Sequence, residues 1–132
     1  MKTTKEDFDF FSKWFFHYAY EVLHLARWVI RAFHEASAEP KKNQAQAWVI
    51  TDVKERVARV ALNTEWIHRK RYRTQNELKN DAFHEAGELL LSPLTDIALE
   101  YAPANKKKDI KDACHEIINT LEVILVHEKE GK

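Results

Sequence analysis

The stretch Phe8–Ala38, FDFFSKWFFHYAYEVLHLARWVIRAFHEASA, contains neither Gly nor Pro, and its reading decides the fold. Apolar residues recur in it at three- and four-residue intervals: Phe8, Phe11, Phe15, Tyr18, Val22, Leu25, Val29, Ala32 and Ala36. That period predicts one long helix with a continuous apolar face. A second stripe on the same helix, Phe10, Trp14, His17, Glu21, His24, Trp28 and Arg31, sets large aromatics where a small fold has little to cover them. Phe10, Trp14 and Trp28 are therefore the candidate interface to a protein partner or a second copy of the chain. Burying three such aromatics supplies several kcal/mol by area, at ~25 cal/mol per Å². Lys13, Glu21, Arg27 and Arg31 interrupt the segment every turn or two, which excludes a membrane span.

Outward from this segment the helical period continues. Thr3 with Glu6 fits a capping box opening helix 1, whose pattern fades before Pro40. Asn43 caps helix 2, which runs through Trp48, Ile50, Val53, Val57, Val60, Thr64 and Ile67 to about Tyr72. Thr74 with Glu77 makes a second capping box for helix 3, which turns Phe83, Ala86, Leu90, Leu94, Ile97 and Tyr101 inward. Ser92 followed by Pro93 is a cap-and-first-turn pair and marks a kink or break there. Pro103 ends helix 3, Asn105 caps helix 4 with Ile110, Cys114, Ile117, Leu121 and Ile124 inward, and the charged tail from Glu128 frays. Two Gly and three Pro in 132 residues argue against a sheet with tight hairpins. The expected fold is all-α: an up-down-up-down antiparallel four-helix bundle forming a single domain, residues 1–132.

Charge and cysteine usage narrow the function classes. The 21 basic and 21 acidic side chains balance, so only the distribution of charge can point to an anionic partner. A single cysteine excludes an internal disulfide. Cys114 in an apolar helical pattern, with no signal peptide, reads as a structural thiol of a cytoplasmic protein. No Gly-rich phosphate loop, G-x-S-x-G turn or Cys–His pairing of recognisable spacing is present. The chain thus reads as non-catalytic and without a cofactor.

An acid three residues before a histidine occurs as Glu21/His24, Glu65/His68, Asp81/His84 and Asp112/His115, each pair on one helical face. In this spacing the chain resembles carboxylate-bridged di-iron bundles, in which such pairs converge from four helices on two metals. In the expected bundle, Asp81, His84, Glu85 and Glu88 flank the inward face of helix 3 on its outer side, as Asp112, His115 and Glu116 do on helix 4. Those residues are excluded from a core site on that ground. By depth along the bundle, the alternative metal layer is His17, Glu21, Glu65 and His127, with Asp81 at the same level. Glu85-x-x-Glu88 with Asp109-x-x-Asp112 is similar in spacing to the magnesium-binding pairs of all-α nucleotide pyrophosphohydrolases. His-Glu occurs as a dipeptide four times. The pentapeptide Ala32–Ala36 is repeated as Ala82–Ala86, too short to establish a duplication.

Positive charge collects at both ends of the expected bundle. Lys41 and Lys42 fall beside Lys106, Lys107 and Lys108 where two loops share one end, at helix N-termini that cradle anions. Arg69, Lys70, Arg71 and Arg73, with Tyr72 interleaved, lie at the other end and suit phosphate and base contacts. In outline the chain is similar to small cytosolic four-helix bundles that form rings and serve nucleic-acid machinery. The expected function is a non-catalytic assembly or accessory module that self-associates or docks on a partner and contacts nucleic acid through its basic ends.

Overall fold

The Phe8–Ala38 segment is two different structures joined by a left-handed residue. The computed structural model, which describes residues 1–67 and 75–127, shows α1 over Lys5–Phe16, continuing as a π-helical turn His17–Val22. α1 opens one residue later than the Thr3/Glu6 spacing implies. Thr4 Oγ1 accepts from the Asp7 N–H at 3.1 Å, and the Asp7 carboxylate accepts from the Thr4 N–H at 2.7 Å. The helical path ends at His24, whose φ of 55° is left-handed, a conformation histidine adopts more readily than most non-glycine residues. The chain then extends as β1, Val29–Glu35, in which buried Ile30 stands between exposed Val29 and Arg31. Its β-branched and aromatic content suits a pleated surface, and a run this short satisfies helical and strand periods alike.

Helix 2 is also replaced by sheet. Its apolar residues divide into β2, Ala47–Asp52, and β3, Val57–Asn63, joined by the loop Val53–Arg56. The hairpin needs no glycine, because Arg56 takes φ 58° and Asp52 Oδ1 accepts the Glu55 N–H at 3.1 Å. Scarcity of Gly and Pro therefore does not exclude a sheet here. The strand order is β1-β3-β2. β3 runs parallel to β1, from Val29↔Val57 to Glu35↔Asn63, and antiparallel to β2, from Ala47↔Leu62 to Asp52↔Val57. Strand β3 is consequently the buried one, with Ala58, Val60, Ala61, Leu62 and Asn63 all at most 2% exposed. Asn63 satisfies its amide by donating to the Ala45 carbonyl at 3.0 Å and accepting from the Glu65 N–H at 3.0 Å.

The fold is thus α+β, and the all-α four-helix bundle is overturned: two of the four expected helices dissolve wholly or partly into a three-stranded mixed sheet. The other two survive as α2, Gln75–Tyr101, and α3, Lys107–Glu122, the latter entered through a 3-10 turn Ala104–Lys106 that contains Asn105. α2 passes unbroken through Pro93. Proline offers no N–H to the Leu89 carbonyl one turn back, and the Ser92 hydroxyl donates to that carbonyl instead, at 2.8 Å. α1, α3 and β2 all pack on α2. Between them lies a core of Phe11, Phe15 and Tyr18 from α1 and its π turn, Val60 and Leu62 from β3, Leu78, Phe83 and Leu89 from α2, and Ile118 from α3. Tyr18 and Phe83 meet edge to face with ring centroids 5.2 Å apart, a geometry favoured by the ring quadrupoles. Among the described residues no helix is long and apolar enough to cross a membrane.

Candidate metal centre

The middle of α2 reads Ala82-Phe83-His84-Glu85-Ala86-Gly87-Glu88. Ala82, Phe83 and Ala86 go fully into the core. Their burial turns His84 and Glu88, one helical turn apart, towards α3 and the sheet. Gly87 sets how near α3 comes: a Cβ placed there would lie 2.9 Å from Ile118 Cγ2 and 3.0 Å from Cγ1. Only the missing side chain allows this approach. It brings His115, one turn before Ile118 on α3, over Glu88.

Glu88 Oε1 lies 3.3 Å from His84 Nε2 and 3.1 Å from His115 Nε2, and the two imidazole centroids are 5.1 Å apart. One ligand atom from each residue lies within 4.8 Å of the other two. The two imidazole–carboxylate separations match the ~3.3 Å edge of a tetrahedron whose metal bonds are about 2.05 Å long. Burial pushes the Glu88 carboxyl up, but hydrogen bonds from His84 and His115 outweigh it and hold Glu88 below its usual range. His84 is raised in turn, chiefly by its hydrogen bond to Glu88 against the opposing effect of burial. Neutral imidazoles and an ionised carboxylate are the states a transition metal binds.

Glu85 adds the chemistry. It is only 6% exposed, and burial, with the neighbouring Glu88 charge, pushes its carboxyl well above the usual range. In the protonated state it donates to Glu88, while its Oε1 has no hydrogen-bond partner. Glu85 lines a cleft of about 510 Å³ together with His84, Glu88 and His115, walled on the far side by Trp48 and Val49 of β2. The edge strand of the sheet thus covers what a four-helix packing would leave as solvent. The reading of Glu85 as outward-facing is overturned on that ground, and His84 and Glu88 are half-buried, whereas His115 is exposed as expected.

Other candidate residues are distributed as follows. His17 Nδ1 pairs with Glu21 at 2.6 Å on the surface after α1, whereas Glu65 is bound to Lys2 at 2.8 Å beyond β3, so these do not form one layer. The His127 side chain and Arg69, Lys70, Arg71 and Arg73 lie outside the described residues. Lys41 and Lys42 occupy a 3-10 turn between β1 and β2, and the shared bundle end that placed them beside Lys106, Lys107 and Lys108 does not exist in this topology. Lys106 and Lys108 face Asp109 and Asp112 at 3.9 and 2.7 Å. Asp109 and Asp112 are exposed, not gathered with Glu85 and Glu88. Trp28 is 5% exposed within the core, and Phe10 and Trp14 are half-buried against it, so no open aromatic stripe is formed.

The segment His84-Glu85-Ala86-Gly87-Glu88 is the signal that sequence reading passed over. A helix bearing H-E-x-x-H offers two imidazoles one turn apart and a glutamate next to the first. Here a carboxylate stands at the second ligand position, and the second imidazole arrives from α3 as His115. The donor set, two histidines and one glutamate, is the one found in hydrolytic zinc sites. Comparison with protein families, curated proteins and solved structures finds no match to this chain. Among the described residues the α+β fold carries a two-histidine, one-carboxylate cluster beside a buried glutamic acid.

Proposed function

We propose that this chain binds a divalent transition metal, zinc in the first instance, through His84, Glu88 and His115, and uses it for hydrolysis. The observation that carries the reading is the single Glu88 oxygen lying 3.3 and 3.1 Å from imidazole nitrogens of two different helices. With three protein donors a bound metal would keep a position for water and would lower its pKa towards neutrality. Glu85 supports the hydrolytic assignment. A metal held by the three donors would favour the ionised form of the Glu85 carboxyl, which would then be placed to accept a proton. Glu85 takes that proton from water as the oxygen bonds to the acyl carbon, and delivers it to the leaving nitrogen or oxygen as the scissile bond breaks. Atoms balance as the addition of one water across one bond. A cytoplasmic setting goes with this reading, on the single-cysteine composition.

Reconstitution of the full chain with Zn²⁺ or Co²⁺ tests it. One metal per chain and a visible Co²⁺ spectrum of low coordination number are expected, with Glu85→Gln keeping both and losing hydrolysis of amide or ester probes. Absence of stoichiometric metal after dialysis sinks the reading.

A further inference from the structure

A second cleft, of about 360 Å³, adjoins the same ligands. Glu88, His115 and Val49 wall both clefts. The first extends from them along α2 towards Asn80, the second in the opposite direction past Leu91 to Leu99, so Glu88 and His115 stand between the two and His84 lines the first alone. The clefts differ in chemistry. The first contains Asp81, His84 and Glu85. The second is floored by Val49, Leu91, Leu99 and Ile118.

Two hydroxyls of the second cleft, which Thr51 also lines, are already engaged. Ser92 Oγ is committed to the Leu89 carbonyl at 2.8 Å, and Thr95 Oγ1 lies 3.3 Å from Cys114 Sγ, within hydrogen-bonding reach. The exposed Asp96 and Lys111 at the cleft's edge bring one charge of each sign and offset one another, which leaves Glu88, the proposed metal ligand, as the remaining acid of the lining. What the cleft offers a ligand is aliphatic surface beside the metal ligands. We infer that this cleft is the subsite for an aliphatic or aromatic group next to the scissile bond, so that the substrates are amides or esters carrying such a group. The inference rests on the metal reading above, because the metal holds the polar end of the ligand while the cleft takes the apolar one.

A chain-length series tests it without relying on turnover. Alkyl hydroxamic acids, from acetohydroxamic to hexanohydroxamic acid, bind a site metal through their two oxygens and project the alkyl chain beside it. On Co²⁺-loaded protein, followed by its visible spectrum, affinity is expected to rise about fourfold per added methylene, the value for burying a CH₂. Leu99→Trp fills the cleft and should flatten the series while leaving acetohydroxamic acid within about twofold of wild type, since that ligand has no chain to bury. A flat series on metal-loaded wild-type protein overturns the subsite, as does a slope that Leu99→Trp leaves unchanged. Failure to take up Co²⁺ appears before any hydroxamic acid is added. That outcome defeats the metal reading, and the subsite falls with it.

Discussion

His115 on α3 stands with its Nε2 3.1 Å from Oε1 of Glu88 on α2, across a sequence separation of 27 residues. The pair joins the two helices at the point where His84 reaches the same oxygen. A metal bound there draws on α2 twice and α3 once. Removing any one donor leaves a two-ligand site, so His84→Ala, Glu88→Ala and His115→Ala should each weaken zinc binding by more than the ~10–100-fold typical of losing an outer-shell partner. His17→Ala, in the exposed pair with Glu21, should leave binding unchanged. Competition titration with a chromophoric chelator reads both results, and equal affinities across all four variants would remove the site.

Gly87 offers a structural handle on the same relationship. In an exposed helix, Gly→Ala stabilises by roughly 0.5–1 kcal/mol. Here the added methyl would sit 2.9 Å from Ile118 Cγ2, so α3 must move away and take His115 with it. The expected outcome is the opposite sign, a loss of about 1–3 kcal/mol from overpacking, accompanied by weaker metal binding. Adding Ile118→Ala removes the opposing atoms and should recover metal affinity without recovering stability. Chemical denaturation and metal titration of the two variants measure these separately, and a stabilised Gly87→Ala would show that the helices are not in close contact.

Much of this arrangement could be read from the chain, and the unread part has a physical cause. The existence of α2 and α3, and the placing of an acid and an imidazole on one face of each, follow from spacing, but their inward faces do not: Leu94, Ile97 and Tyr101 of α2 and Ile117 of α3 are exposed. Nor does the sheet follow from it. Ala32-Phe33-His34-Glu35 belongs to β1 while the identical Ala82-Phe83-His84-Glu85 is helical in α2, so local composition cannot decide the conformation of this segment. What decides is context: the first follows a left-handed His24 and pairs along its length with β3, and the second buries Phe83 between α1 and the sheet. Once the faces of α2 were referred to a four-helix core, His84 and Glu88 fell on the outside. β2 supplies the missing wall, and it comes from residues whose apolar spacing satisfies a helix as well as a strand.

The metal-free cluster makes stability depend on pH in two directions. His84 is raised above its usual 6.5, first by its bond to Glu88, so its stabilising effect is complete below that pH and fades as pH rises through the folded value. Glu85 is raised well above 4.5 by burial, so its ionisation at higher pH also opposes folding. Glu88 acts oppositely. Burial raises it, but the imidazole hydrogen bonds win and hold it below 4.5, so its contribution is present above 4.5 and is lost as pH falls through the folded value. His84 and Glu88 together contribute most between 4.5 and 6.5, but the loss from Glu85 begins once pH passes 4.5, so the cluster's net contribution declines from the lower end of that window upward. Thermal unfolding of metal-free protein should show a decline on the alkaline side that Glu85→Gln reduces. Zinc needs deprotonated imidazoles, so its stabilising shift should grow from about pH 5.5 to about pH 8. A zinc effect independent of pH would mean that histidine does not ligate.

Ser92 and Pro93 lie on α2 between Glu88, which both clefts share, and Leu99 of the second cleft, where the helix continues without a break. The Leu89 carbonyl, deprived of a donor by Pro93, is satisfied by the Ser92 hydroxyl at 2.8 Å, and Ser92 is buried. Ser92→Ala leaves that carbonyl without this donor in a dry environment, which costs about 1–3 kcal/mol. Pro93→Ala restores the ordinary helical bond, so Ser92→Ala made in that background should cost much less than it does in the native chain. Urea denaturation of the single and double variants gives the coupling between them. Additive effects would mean that the serine hydroxyl does not substitute for the missing N–H, and that α2 crosses the proline by other means.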